Sequence, residues 1–168
     1  MQATPHGAKP ELHVSIQQQD FDVGVLQQSL LGNAAAEGAV ATFTGYVRNQ
    51  PPEQALTALE LEHYPGMTEA SIAAIIERAM ERWPLLAAAV VHRVGKLRPG
   101  EQIVWVGVAA AHREAAFDGC ECIMDYLKTG APFWKKEHMA GGARWVEARA
   151  GDADRAGRWA VTERFGKQ

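Results

Sequence analysis

Three lysines, Lys128, Lys135 and Lys136, fall within nine positions that contain no Asp or Glu, although the chain carries 17 Lys+Arg against 20 Asp+Glu. An isolated lysine is ordinarily a solvated charge or a favourable cation at a helix C-terminus. Here Phe133 and Trp134 precede Lys135 in a Gly130–Trp134 turn and are expected to tie down the loop that holds it. Two ammonium groups brought together over an apolar floor repel, so one or both could lose pKa. Lysines tuned in this way transfer protons, attack carbonyls or steady an oxyanion. A second cationic spot, His112-Arg113, lies at a strand-to-helix junction, where free backbone N–H groups suit a phosphate or carboxylate. Arg48, ending a strand before Asn49-Gln50-Pro51, is a third. Taken together these residues describe a pocket for a phosphorylated or otherwise anionic small molecule.

Other chemistries find little support in the same sequence. No G-x-S-x-G elbow, Walker loop or G-x-G-x-x-G fingerprint occurs. The six histidines are scattered. Cys120 and Cys122 on one helix would point their thiols about 200° apart, so they read as small packing residues, and neither a metal site nor a cofactor is expected. A sequence pI near 6.1 argues against a general nucleic-acid surface. The longest nearly apolar run, Ile103 to Ala111, is about half of a bilayer crossing. The first residues have no continuous apolar stretch of the kind a secretory signal needs, and two cysteines are too few for a disulfide framework, so a soluble cytoplasmic protein is expected.

The elements that must position these groups can be read from periodicity. Residues 1–11 are expected to be a flexible start, residues 12–150 one domain, and residues 151–168 a charged tail that is partly helical. Leu12, Val14 and Ile16 alternate as in a half-buried strand. Phe21 to Leu31 has helical spacing, with Asp20 or Asp22 as cap. Gly38 to Arg48 and Leu56 to Tyr64 read as strands forming a hairpin-like pair. Thr68 opens a helix with Ile72, Ile75, Ile76 and Met80 on its apolar stripe, and Pro84 follows it. Leu86–Val94 and Gln102–Ala111 read as strands. A helix follows from about Arg113 to Lys128, with Phe117, Cys120, Met124 and Leu127 on one face, and a short strand from Arg144 to Arg149 comes last. The order β-α-β-β-α-β-β-α-β implies an α+β domain with a mainly antiparallel sheet.

Several stretches are long and unusual: FTGYVRN (Phe43 to Asn49), LEHYPGMTE (Leu61 to Glu69), AHR (Ala111 to Arg113), MDYLKTGAPFWKKE (Met124 to Glu137) and WVEAR (Trp145 to Arg149). In this order they resemble the large, catalytic subunits of molybdopterin synthase, over about residues 12 to 160. The resemblance implies an α/β-hammerhead fold with an additional β-rich subdomain. It also implies a sulfurtransferase that converts cyclic pyranopterin monophosphate (precursor Z) into molybdopterin, within molybdenum cofactor biosynthesis. The sulfur would come from the C-terminal Gly-Gly thiocarboxylate of a small ubiquitin-like partner subunit, and the large subunits would form a homodimer inside a heterotetramer. Position by position, Lys128 and Lys135 match the family's active-site lysines. Tyr46, Val47, Arg48, His112, Arg113, Met124, Lys136 and Glu137 match its substrate-binding positions, with His112 and Arg113 expected from the other protomer. Tyr46 stands where a basic residue is expected and Gly130 where arginine is frequent, so the anion contacts are expected to differ locally. From the residues alone, a Schiff-base lyase and a non-catalytic anion-binding module are the competing readings.

Overall fold

The computed structural model describes residues 10–32, 34–147 and 150–161, the side chains of 150 and 161 excepted. The remaining parts of the expected flexible start and charged tail, and the Ala148–Arg149 end of the expected last strand, lie outside the described residues.

Two four-stranded sheets share the chain. The first has the order β1-β4-β6-β2, from β1 (Glu11–Gln17), β2 (Ala39–Tyr46), β4 (Leu85–Arg93) and β6 (Gln102–Ala110). The second has the order β5-β3-β7-β8, from β3 (Leu56–His63), β5 (Gly95–Leu97), β7 (Phe133–Met139) and β8 (Gly142–Val146). Only β1 and β4 pair in parallel; the other pairings among the described residues are antiparallel. The α+β class with mainly antiparallel pairing therefore stands, and the second sheet is the further β-rich part.

Helix α1 (Val23–Ser29) is short, and its start is fixed by Asp22, whose Oδ1 accepts from the N–H groups of Gly24 at 2.8 Å and Val25 at 3.0 Å. It covers one face of the first sheet, over Ala87, Ala89, Val91, Trp105 and Ala109. Gly107 makes room for the indole there, since a Cβ at that position would lie 2.2 Å from a Trp105 ring carbon. The opposite face carries α2 (Met67–Arg82) and α3 (Arg113–Gly130). Their stripes, Ile72, Ile75 and Ile76 from α2 and Ala116, Cys120, Ile123 and Leu127 from α3, meet Ala88, Val90, Val104, Val106 and Val108. Burying one such isoleucine contributes about 1.5–3 kcal/mol. Phe117 departs from the expected inward face of α3 and is 65% exposed.

The expected hairpin of the second and third strands is not formed: among the described residues β2 pairs only with β6, and β3 pairs with β5 and β7. The connection explains the difference. It runs through nine residues, Val47 to Ala55, with Val47 buried and a 3-10 turn at Pro52–Gln54, which carries the chain from one sheet to the other. Tight hairpins use loops of about two to five residues. Where the sheets join, Val47, Leu56, Leu61, Val94 and Leu97 form a separate apolar cluster.

Helix α4 (Ala150–Val161) is laid against α3 by polar contacts. Asp125, buried on α3, accepts from Arg158 and from the indole N–H of Trp159, both at 2.8 Å. Trp159 also meets Trp83 edge-on at 5.5 Å, and Arg82 donates to its backbone carbonyl. Replacing Asp125 with alanine strands the indole N–H and removes a charge-assisted bond. Urea unfolding of Asp125→Ala is expected to show a loss of about 2 kcal/mol against the wild type.

Candidate active site

The two ends of α3 divide the cationic residues. Strand β6 runs toward the start of α3, and α3 then runs back along the sheet, so Lys128 returns to the end of the sheet where β6 began. That end also holds the row Gly45–Val104–His92, since β2 and β4 both register against β6 at Val104. Neighbouring strands lie about 4.8 Å apart, so the row spans about 10 Å. Arg48 is three residues past Gly45 on the same side and is exposed. Lys135 arrives from the second sheet. Two residues before it on β7, Phe133 stacks on the buried His92 ring, and the charges of Lys135 and Lys128 both help to lower the His92 pKa. His112 and Arg113, exposed at the N-terminus of α3, lie at the far end. Fifteen residues separate Arg113 from Lys128, or about 22 Å of helix. One chain therefore gathers Arg48, Lys128 and Lys135 at one end and keeps His112 and Arg113 away from them.

The segment around Lys135 is a strand, not the loop its composition implied. β7 pairs with β3, setting Lys135 opposite Leu61 and Phe133 opposite His63. Alternation along a strand sends Phe133, Lys135, Glu137 and Met139 to one face and Trp134, Lys136 and His138 to the other. Phe133 and Met139 pack into the apolar junction, so Lys135 lies on the inner side. Lys136 lies on the outer side, where its Nζ is 5.2 Å from the centroid of the Trp145 ring, a cation–π contact across β8. On the same outer face the Glu60 carboxylate is 2.6 Å from Nε2 of His138, a hydrogen bond that lowers the pKa of Glu60. Glu137 is buried and accepts from Arg144 Nε at 2.8 Å, so its charge is compensated locally. Val47 is packed in the junction cluster, and its N–H and C=O bond to Glu101 and Gly100. Met124 is half-buried against the main core, and Tyr46 is exposed at the end of β2.

The LEHYPGMTE stretch turns out to buttress the start of β7. Gly66 turns with φ of 83°, a conformation that favours glycine, and its N–H donates to Glu69 at 2.7 Å at the head of α2. Thr68, fully buried, accepts from the N–H of Tyr64 at 3.0 Å and donates to the carbonyl of Pro132 at 3.1 Å. One hydroxyl thus clips the β3–α2 turn to the residue before Phe133. His63 lies beside this turn, 3.8 Å from Glu69.

His92 is the site residue that sequence reading missed. It sits in the apolar run LLAAAVVHRV, where a histidine carries no spacing signal. Its ring is buried and stacks on Phe133 with centroids 3.9 Å apart at 18°. Burial, with Lys135, Lys128 and His63 adding to it, pushes its pKa down to about 4. The two cysteines are buried as well, and burial pushes Cys120 up to about 12 and Cys122 up to about 11, so both are thiols at neutral pH. Among the described residues no three His, Cys, Asp or Glu side chains come together as a metal site, and no helix is long and apolar enough to cross a membrane.

What the lysine end can do is stabilise negative charge and exchange protons beside an uncharged aromatic floor. Comparison with known proteins places the chain in a family. Residues 16–130 match the family model described as MoaE protein. A molybdopterin synthase catalytic subunit from Ralstonia nicotianae is 52% identical over 148 residues, 88% of this chain and 84% of that protein. The solved molybdopterin cofactor biosynthesis protein E from Burkholderia multivorans superposes with a TM-score of 0.76 at 49% identity, covering 89% of this chain and 97% of that one. A Helicobacter pylori complex of subunits 1 and 2 of molybdopterin-converting factor shares the fold at a TM-score of 0.67 and 20% identity, covering 81% of this chain and 91% of that one. With most of its length inside the family model and about half its residues shared with a curated relative, the chain belongs to the MoaE family.

Proposed function

We propose that this chain is the catalytic subunit of a molybdopterin synthase, a sulfurtransferase that converts precursor Z into molybdopterin in the cytoplasm. Both dithiolene sulfurs come from the C-terminal thiocarboxylate of a small ubiquitin-like partner. The observation that carries the reading is the placement of Lys128 in the last turn of α3 and of Lys135 on the inner face of β7, the strand whose Phe133 stacks on the buried His92 ring. In the reaction a thiocarboxylate sulfur attacks a side-chain carbon of the pterin, forming a C–S bond while a C–O bond of that carbon breaks and its electron pair leaves on the oxygen. The lysines stabilise the negative charge that develops and move protons. Water then releases the partner's tail as a carboxylate, and a second thiocarboxylated partner supplies the second sulfur. Cys120 and Cys122 are protonated and buried, which favours an external sulfur donor. The H. pylori relative's two-subunit complex favours a small partner here too.

The substrate's phosphate requires cations, and Arg48 is the one of the three anion-binding candidates at the lysine end. The separation along α3 favours a homodimer in which His112 and Arg113 of a second copy complete the pocket. The outer position of β2 in its sheet, with Phe43 exposed on it and Phe117 exposed on the adjoining α3, gives a second copy an apolar surface beside an open strand edge. Tyr46, Met124, Lys136 and Glu137 complete the proposed pocket neighbourhood; for Val47 the contribution is to hold the strand end that carries Arg48.

Mixing the chain with thiocarboxylated small subunit and precursor Z should yield molybdopterin, measured by its fluorescent oxidation product. Lys128→Ala is expected to lower that yield at least about 100-fold while gel filtration still shows the partner bound; a near-normal yield would remove Lys128 from its role. Co-expressed Lys128→Ala and Arg113→Ala chains, each inactive alone, are expected to recover up to about a quarter of wild-type activity through mixed dimers. No recovery would mean that each pocket is built within one chain.

A further inference from the structure

His92 is placed where a polar side chain has to be explained. It is 8% exposed, on the α2–α3 side of β4, and its ring lies flat beneath Phe133. Nδ1 is 2.8 Å from the carbonyl oxygen of Arg93, and a carbonyl can only accept, so Nδ1 carries the hydrogen. The titratable groups whose fields reach the ring are Lys135 from β7, Lys128 from α3 and His63 from β3, while the guanidinium of Arg93 turns away to the carbonyls of Gln18 and Gln102. Burial and the two lysines keep the ring uncharged at neutral pH, although its own bond to Arg93 works in the opposite sense. A protonated ring would set a third positive charge beneath the two lysines. An uncharged one leaves a flat face on which Phe133 can rest.

Lys135 is two residues beyond Phe133 on the same strand face, about 7 Å along β7. The start of β7 is held at two points: Thr68 grips the carbonyl of Pro132, and His92 supports the next side chain. We infer that His92 is a positioning residue for sulfur transfer, its imidazole being the aromatic seat that registers Phe133, and through β7 Lys135, against Lys128. This rests on the reading of the lysine pair given above. A side chain that merely filled the volume would serve as well without being aromatic, and that difference is what can be measured.

Full-length wild type, His92→Phe and His92→Gln are compared in the precursor Z assay with thiocarboxylated small subunit, alongside thermal melting and size in solution. If the wild type forms no molybdopterin, the functional reading fails by itself. Given wild-type turnover, His92→Gln is expected to lose about 100-fold in kcat, the scale of a catalytic group misplaced by about 1 Å, with the KM for precursor Z within about threefold. His92→Phe keeps a flat ring and is expected to stay within about fivefold of wild type in kcat. His92→Leu, also without a flat ring, takes the place of the glutamine variant if that chain does not fold. Folded variants that all keep wild-type kcat, that all lose it equally, or that change KM alone would overturn the role.

Discussion

Helix α3 is a rigid rod about 27 Å long, and almost everything proposed for this protein depends on what stands at its two ends. The start presents His112 and Arg113 with the unpaired N–H groups of a helix N-terminus; the finish presents Lys128. No bending of side chains spans such a distance. A substrate small enough to be a phosphorylated pterin can touch one end of a given helix and not both. On the proposed function, the geometry of this single element leaves a one-chain pocket without His112 and Arg113, and the open edge at β2 becomes an opportunity for a second copy.

At the lysine end, charge is managed by placement more than by number. The chain is acidic as a whole, yet three acids of the surrounding strands and turn have partners of their own. Glu137 is held by Arg144, Glu60 by His138, and Glu69 by the turn at Gly66 and His63. What remains near Phe133 is positive on one side and aromatic on the other. Alternation on β7 matters as much: it sends the neighbouring Lys136 to the far face, where Trp145 receives it. Two adjacent lysines therefore have different surroundings, one facing the pocket neighbourhood and one an exposed indole.

Much of the scaffold was legible in the sequence because it is periodic. The isoleucine stripe of α2 and the Asp22 cap of α1 appear where local chemistry dictates. Misreadings arose where long-range pairing overrides local pattern. Two adjacent β-rich stretches looked like a hairpin, yet their partners lie about sixty and eighty residues further along, at β6 and β7. β7 itself, FWKKEHM, hides its alternation, because its inward positions include a lysine and a buried glutamate that only Arg144 makes tolerable. His92 was invisible for a related reason: nothing in the flanking valines reveals that an aromatic ring from forty-one residues later stacks on it. Charged residues could be nominated from the sequence, whereas the groups that set their positions could not.

The burial of Cys120 and Cys122 has one more consequence. On the proposed function, a chain that handles an activated acyl–sulfur bond must not offer it a second soft nucleophile, because thiol exchange would capture the partner's tail in a dead-end thioester. Both thiols are buried side chains of α3, with pKa values far above neutrality. Under that reading, packing keeps the chain's own sulfurs from competing with the incoming one, and the helix that separates the cations is also the helix that holds these thiols buried.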